Sequence, residues 1–310
     1  MDGRLKGLLS EPLTRTAAAA LDPSEDAWVV GGALRDLALG RPGPLVDLDL
    51  AVRGSAAGYA KRLARRAKGT HVVLDAGQDI HRVVLKAGGV TAQVDAAGVQ
   101  GGSIAADLAR RDFTVDAMAL PLSAPGPLLD PFLGLADAAA GILRAVSEKA
   151  FSDDPLRALR AFRIGAQCRL EPEAKTLLWA KRHRALLASC AAERVRAEVM
   201  GVLFVPDSAA WLRRMDGAGV LTQVLPELEA SRRCALVYYG KGGVLRHALD
   251  TVERLDFLAA SLERVWPAHA AGVRAALAGA PGGAAGHPAL LRLGGLLHDV
   301  SKPETAKRQG

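Results

Sequence analysis

Gly31-Gly32-Ala33-Leu34-Arg35-Asp36-Leu37-Ala38-Leu39-Gly40, separated by six residues from Asp47-Leu48-Asp49, joins a glycine turn and a short helix to a strand that carries two carboxylates. Just before it, Ala27 to Val30 is a short apolar run of strand type. Ala33 to Leu39 has helical spacing and is ended by Gly40, and Leu45 to Val52 alternates as a strand. Strand, glycine turn, helix and strand in succession predict a mixed α/β unit. Further along, Tyr59 to Lys68 reads as a basic helix, His71 to Asp75, Arg82 to Ala87 and Thr91 to Ala96 as strands, and a helix starts at Ser103. From Asp153 the strand signals largely stop. Ala158 to Cys168, Ala174 to Ala188, Ala192 to Leu203 and Ala209 to Ala218 carry apolar residues three and four apart, so the second half is helical. Pro206, Pro226 and Gly240 to Gly243 punctuate it and place a boundary near 235–243, while Gly279 to Pro288 reads as a flexible loop.

The chain has 310 residues, is 50% hydrophobic and 24% charged, and carries a formal charge of +7. That composition excludes global disorder, and the length allows two or three domains. The pI of about 9.6 favours a polyanionic partner, a solvated basic surface being the plainer reading. Cys168, Cys190 and Cys234 are odd in number and far apart, which points away from a disulfide framework or a zinc ribbon. The first 23 residues include Glu11, Asp22 and Pro23 and do not read as a secretion signal, and nowhere do 18 apolar residues run together. A soluble cytoplasmic protein with no membrane partner is expected.

Asp47 and Asp49 lie two apart on a strand, so both side chains project from one face while Val46, Leu48 and Leu50 face the core. Parallel carboxylates repel unless a cation sits between them, and oxygen-only ligands suit Mg²⁺. A polar edge strand is the structural alternative. Gly31 and Gly32 let backbone N–H groups approach closely, and a helix N-terminus would lie where a triphosphate binds. Asp95, on a later strand, is a third carboxylate able to complete a two-metal site for in-line nucleotidyl transfer, or else a turn residue at a strand end.

Taken in order, these motifs resemble the class II tRNA nucleotidyltransferase and bacterial poly(A) polymerase family of the polymerase β superfamily. The resemblance implies an α+β fold: a mixed-sheet nucleotidyltransferase head (1–146), then an all-helical neck and body (147–235) and a truncated helical HD-like domain (236–310). Asp107-Leu108-Ala109-Arg110-Arg111-Asp112-Phe113-Thr114-Val115-Asp116 is similar to the family's second motif, in which Arg111 and Asp112 would hold the ribose and phosphates. Asp116 stands where Asn is usual. Leu129 to Gly134 resembles the link from head to neck. Phe151-Ser152-Asp153-Asp154-Pro155-Leu156-Arg157, with Arg160 and Arg163 beyond, resembles the amino-acid template for the base. There Asp154 would accept from an exocyclic amino group and Arg157 would donate to the neighbouring ring acceptor, a pattern met by CTP and ATP and reversed in UTP and GTP. An N-terminal Asp favouring the helix dipole, ion-paired to Arg157, is the structural alternative.

The same resemblance assigns Asp47 and Asp49 to metal, Asp95 to the attacking hydroxyl, and Gly31, Gly32 and Arg35 to the nucleotide. Arg160, Arg163, Lys181, Arg182 and Arg184 would face the tRNA acceptor stem. Glu193 to Glu198 would brace the helices. Only eleven residues, Ala96 to Ala106, separate Asp95 from Asp107. In the family this interval holds a flexible loop associated with switching to ATP, so its brevity raises a CC-adding activity. Poly(A) synthesis is a nearby rival. A metal-dependent phosphohydrolase rests on His247, His298 and Asp299, although the residues after Asp299 supply no distal Asp, which favours a scaffolding role. An inert RNA-binding module is the remaining alternative.

Overall fold

The computed structural model describes residues 2–41, 43–87, 90–122, 126–278 and 287–306. The chain forms two compact units, 1–150 and 151–310. The loop expected at Gly279 to Pro288 falls almost wholly outside the described residues.

The first unit opens with helices α1 (Asp2–Ser10) and α2 (Pro12–Ala18). There follow β1 (Ala27–Val30), α3 (Gly32–Ala38), β2 (Asp47–Val52), α4 (Ala56–Ala67), β3 (Thr70–Asp75), β4 (Ile80–Ala87) and β5 (Val90–Gly98). Helix α5 (Ile104–Leu108), a 3₁₀ turn at Thr114–Asp116, β6 (Ala119–Pro121) and α6 (Gly134–Ala140) complete it. Six strands form one sheet in the order β3-β4-β5-β2-β1-β6. Only β2 and β5 are parallel; their connection runs through α4 and the β3–β4 hairpin.

Alternation makes the two faces of this sheet different. Val29 on β1, Leu48, Leu50 and Val52 on β2, Val83 and Leu85 on β4, and Val94 and Ala96 on β5 all point to one side. There they are buried with Tyr59 and Leu63 of α4. Ser55 caps α4 by accepting from Gly58 N, and Asp79 accepts from the next two free amides, Ala56 N and Ala57 N, so the first turn is well satisfied. The Tyr59 hydroxyl, fully buried, donates to the carbonyl of Ala17 at 2.9 Å and ties α4 to the second helix. The other face is only partly covered: Trp28, Val30 and Ala51 pack with Ile104, Leu108, Ala117 and Ala119. Asp47, Asp49 and Asp95 share that face beyond the apolar patch.

Two expectations need correction. Strand β2 is central, with two hydrogen-bonded neighbours, which removes the polar edge strand as an account of its carboxylates. Val46 does not face the core. The strand proper starts at Asp47, and Val46 is 39% exposed at its mouth, although its carbonyl still accepts from Gln93 N.

The second unit is helical, with helices at Arg157–Cys168, Ala174–His183, Ala192–Phe204, Ser208–Gly217, Gly243–Ala260 and His287–Leu297. The helices Gly243–Ala260 and His287–Leu297 are joined firmly to the helices before them. Arg292, buried, donates to Asp256 at 2.6 Å and to the carbonyl of Leu203 at 2.9 Å, closing the C-terminal end of the helix Ala192–Phe204. Asp256 also accepts from Ser208 Oγ and Ala209 N; its burial pushes the carboxyl above the usual range in spite of these partners. No helix among the described residues is long and apolar enough to cross a membrane.

Candidate active site

Strand register assembles the carboxylates. Asp47 and Asp49 project from the same face of β2, and in the parallel β2–β5 pair Asp49 lies directly opposite Asp95. Asp95 is therefore in mid-strand, not at a strand-end turn. Oxygens of Asp47, Asp49 and Asp95 all lie within 4.8 Å of one another. Three anionic oxygen donors at that spacing repel one another and suit a hard divalent cation, which takes carboxylate oxygens and tolerates open positions for water or phosphate. The donor set fits such an ion.

Gly31 closes one side. It caps α3 with φ +72° and ψ −141°, and a Cβ built on it would lie 2.7 Å from Asp49 Oδ2. Any other residue type would be strained in that turn and would press on that carboxylate. A cavity of about 620 Å³ opens beside the pair, lined by Arg4, Arg35, Arg41, Val46, Asp47 and Asp49 among others; this is the size of a small-molecule site. Arg35 is held there by its own chain. Its Nη1 donates to Asp116 at 2.8 Å and its Nε to Asp36 at 3.1 Å. Asp116 is buried, which accounts for the residue that departs from the expected Asn: it is the fixed counter-charge of Arg35, 81 positions away.

Arg111 and Asp112 follow α5. Asp112 is buried and accepts from Phe113 N at 2.9 Å, while its backbone carbonyl accepts from Val146 N. Arg111 Nη2 donates to Asp107 at 3.3 Å, and its buried Nε has no hydrogen-bond partner among the described residues. Asp130, in the Asp-Pro turn, caps α6 through Gly134 N and Leu135 N, and Asp137 joins Thr114 to Arg144. These are structural tasks.

Sequence reading missed Arg82. On β4 it lies opposite Asp95, and its Nε and Nη2 donate to the two oxygens of Asp95, both at 2.7 Å. The hydrogen bonding to Asp95, with the charges of Asp95, Asp47 and Asp49, raises the guanidinium above its ordinary range against the opposing effect of burial. The alternation of β4, with His81, Val83 and Leu85 buried, puts Arg82 on the face opposite the core, and the register with β5 brings it to Asp95.

In the second unit Asp154 sits before the helix Arg157–Cys168 and accepts from Leu156 N at 3.2 Å and from Arg194 Nη2 at 2.8 Å. Arg194 thus belongs with the proposed base-selecting group, a link sequence reading did not make. Arg157 and Arg160 lie on that helix, half-buried. Arg163, on the same helix, donates to Glu198 at 2.6 Å and to Gln167 at 2.9 Å, so Glu198 supplies the bracing expected of 193–198. His247, His298 and Asp299 also meet. His247 Nε2 is 3.2 Å from His298 Nε2, and Asp299 Oδ2 is 3.2 Å from His298 and 3.6 Å from His247. Lys302 Nζ occupies the same Asp299 oxygen at 2.6 Å and reaches the Tyr239 hydroxyl, while the Tyr239 ring stacks on His247. Burial, then the neighbouring His298, holds His247 below the ordinary histidine range.

Comparison with known proteins identifies the family. Residues 27–144 match the poly(A) polymerase head domain, and 169–231 match the domain described as "Probable RNA and SrmB-binding site of polymerase A". The chain belongs to the poly(A) polymerase and class II tRNA nucleotidyltransferase family. Within it, the chain is 41% identical over 221 residues to a CC-adding tRNA nucleotidyltransferase of Geobacter sulfurreducens, covering 71% of this chain and 50% of that one. It is 37% identical over 237 residues to a CC-adding tRNA nucleotidyltransferase of Synechocystis, covering 76% and 55%. It spans about half the length of these curated relatives. A CCA-adding enzyme solved in complex with ATP superposes with a TM-score of 0.66 at 28% identity, covering 84% of this chain and 60% of that one. The family implies a divalent metal, and Asp47, Asp49 and Asp95 form a candidate cluster for such an ion, as do His247, His298 and Asp299 elsewhere in the chain.

Proposed function

We propose that the chain is a tRNA nucleotidyltransferase that adds C to the tRNA 3′ end from CTP. The 3′-hydroxyl oxygen attacks the α-phosphorus, a new P–O bond forms as the bond to the β-phosphate breaks, and pyrophosphate leaves. The observation that carries this reading is the meeting of Asp47, Asp49 and Asp95 on the open face of the sheet, with Gly31 against Asp49. Asp47 and Asp49 would hold Mg²⁺, which supplies charge neutralisation at the reacting phosphate and a hydroxyl easier to deprotonate. Asp95 assists the attacking hydroxyl. Gly31, Gly32 and Arg35 take the triphosphate, with Arg35 kept in place by Asp116. Arg111 and Asp112 take the ribose, and Asp154 with Arg157 selects the base. Arg160 and Arg163 line the same helix, where Arg163 contributes through Glu198.

Restriction to C is supported by the segment between Asp95 and Asp107. Strand β5 runs to Gly98 and α5 starts at Ile104, which leaves Val99 to Ser103 as the whole connection. Gln100 N donates to Asp107 Oδ1, the Gln100 amide donates to Gly98 O, and Ser103 caps α5 through Ala106 N. A turn so pinned has no slack for the movement that the family associates with ATP. The CC-adding names of the two relatives agree with this.

In functional terms we divide the chain into a catalytic head (1–146), a neck and body that reads the nucleotide and the acceptor stem (147–235), and an HD-like scaffold (236–310), working in the cytoplasm. Poly(A) synthesis and phosphohydrolysis are not favoured. The relatives are named for CC and CCA addition, and Lys302 already neutralises Asp299. Asp49→Ala tests the assignment: incorporation of labelled CTP into tRNA should vanish while the circular dichroism spectrum stays that of the wild type. Normal incorporation in that variant would sink it.

A further inference from the structure

Four side chains, not three, meet on the open face of the sheet. Arg82 is opposite Asp95 in the antiparallel β4–β5 pair, and Asp95 is opposite Asp49 in the parallel β5–β2 pair, so Arg82, Asp95 and Asp49 form one row across three strands. Side chains opposite one another on adjacent strands stand about 5 Å apart on the same face. The contact between Arg82 and Asp95 is a fork on a fork, with Nε on Oδ1 and Nη2 on Oδ2, each 2.7 Å. That geometry fixes the plane of the carboxylate as well as its distance, which a lysine cannot do. The pair is not core: the Arg82 side chain is 34% exposed and that of Asp95 20%.

We propose that Arg82 is a positioning residue and the built-in cation of the carboxylate site. It fixes Asp95 before any metal arrives and lowers the triad's own affinity for a divalent cation, leaving Asp47 and Asp49 as the principal ligands. The proposal rests on the reading of the triad as the metal site of a nucleotidyltransferase. Its physical basis is charge and geometry together. Three carboxylates within 4.8 Å carry three negative charges, and one guanidinium brings the cluster to two, the charge one divalent ion neutralises. Both oxygens of Asp95 receive a hydrogen bond from Arg82, whereas Asp47 is exposed at the mouth of the cavity and Asp49 is half-exposed beside it. The three acids are therefore not equivalent ligands.

Two effects of opposite sign follow, and a merely structural arginine would not produce them. Arg82→Gln removes a positive charge close to the ion, so Mn²⁺, used as the probe, should bind the nucleotide-free protein about tenfold tighter. The same substitution frees Asp95 to rotate, so kcat for C addition should fall about tenfold or more with KM for CTP nearly unchanged. Arg82→Lys keeps the charge and loses the fork. Its Mn²⁺ affinity should stay near that of the wild type while kcat recovers only in part. Mn²⁺ binding is read by electron paramagnetic resonance and calorimetry on the full chain, with circular dichroism to confirm the sheet. Unchanged or weaker Mn²⁺ binding by a folded Arg82→Gln protein overturns the proposal, as does full activity in that variant. Should that variant fail to fold, Arg82→Lys decides alone, and wild-type kcat in it overturns the positioning role. The Mn²⁺ arm needs no tRNA: a wild-type chain inactive on tRNA whose Arg82→Gln variant still binds Mn²⁺ more tightly would count against the proposed function and for the role of Arg82.

Discussion

Gly31→Ala is a demanding probe of the site because two independent features of the backbone oppose it. At φ +72° and ψ −141° Gly31 occupies a region nearly closed to residues with a Cβ, which costs about 1–3 kcal/mol. The added methyl would also lie 2.7 Å from Asp49 Oδ2, roughly half an ångström inside van der Waals contact. Either the turn or the carboxylate must give. The strain alone lowers the melting temperature by a few degrees, at about 2–4 °C per kcal/mol for a domain of this size. If the carboxylate moves by about half an ångström, the rate falls about tenfold, since a misplacement of about 1 Å costs on the order of 10²-fold. Thermal unfolding followed by circular dichroism measures the first effect, and single-turnover incorporation of labelled CTP at saturating metal measures the second. Gly32→Ala is the control: its Cβ would meet only the end of the Arg35 side chain, at 3.3 Å, and its effect on rate should be smaller. A Gly31→Ala protein with wild-type stability and a wild-type rate would show that neither the turn nor the Asp49 carboxylate is constrained by the missing Cβ.

Other outcomes follow from the same geometry. Asp116→Asn, which restores the residue usual in the family, removes the buried one of the two carboxylates paired with Arg35 and should cost about 1–2 kcal/mol of stability while raising KM for CTP; steady-state kinetics and denaturation check both, and no change in either would mean that Arg35 is not held by the charge of Asp116. Asp154→Ala should relax selection against UTP by about 10–100-fold, read as the ratio of C to U incorporation, and Arg194→Ala should do the same more weakly because Arg194 only holds Asp154. Burial pushes the Tyr59 phenol far above its ordinary value of 10.0. With the folded pKa above the unfolded one, this group's contribution is fully present below pH 10 and is lost as pH rises beyond it. Tyr59→Phe should therefore lose about 1–3 kcal/mol at neutral pH, from the unpaired Ala17 carbonyl, and show a flatter alkaline decline; parallel alkaline curves for the two proteins would contradict this.

Legibility in the sequence followed the distance over which each signal acts. Asp47 and Asp49 were readable because a strand's period of two is local, and the helical half was readable from spacing of three and four. Asp95 was readable as a strand residue; that it stands opposite Asp49 is a fact of register between strands separated by a helix and a hairpin. Arg82 escaped for that reason. Its alternation is visible on β4, but nothing local says that Asp95 will be its partner 13 residues on. Arg35 with Asp116 and Arg194 with Asp154 are further cases, joined across 81 and 40 positions. Val46 was misread because alternation was extended past the point where the chain enters the sheet, with Gly43 and Pro44 just upstream.

C addition is tested with three tRNA transcripts, ending at the discriminator base, at C and at CC, each incubated with Mg²⁺ and a single labelled nucleotide. CTP should be incorporated into the first two, and ATP should not be added to the third. Efficient addition of A to the transcript ending in CC would contradict the restriction drawn from the Val99 to Ser103 turn, and failure to incorporate CTP into either of the first two would contradict nucleotidyl transfer at Asp47, Asp49 and Asp95.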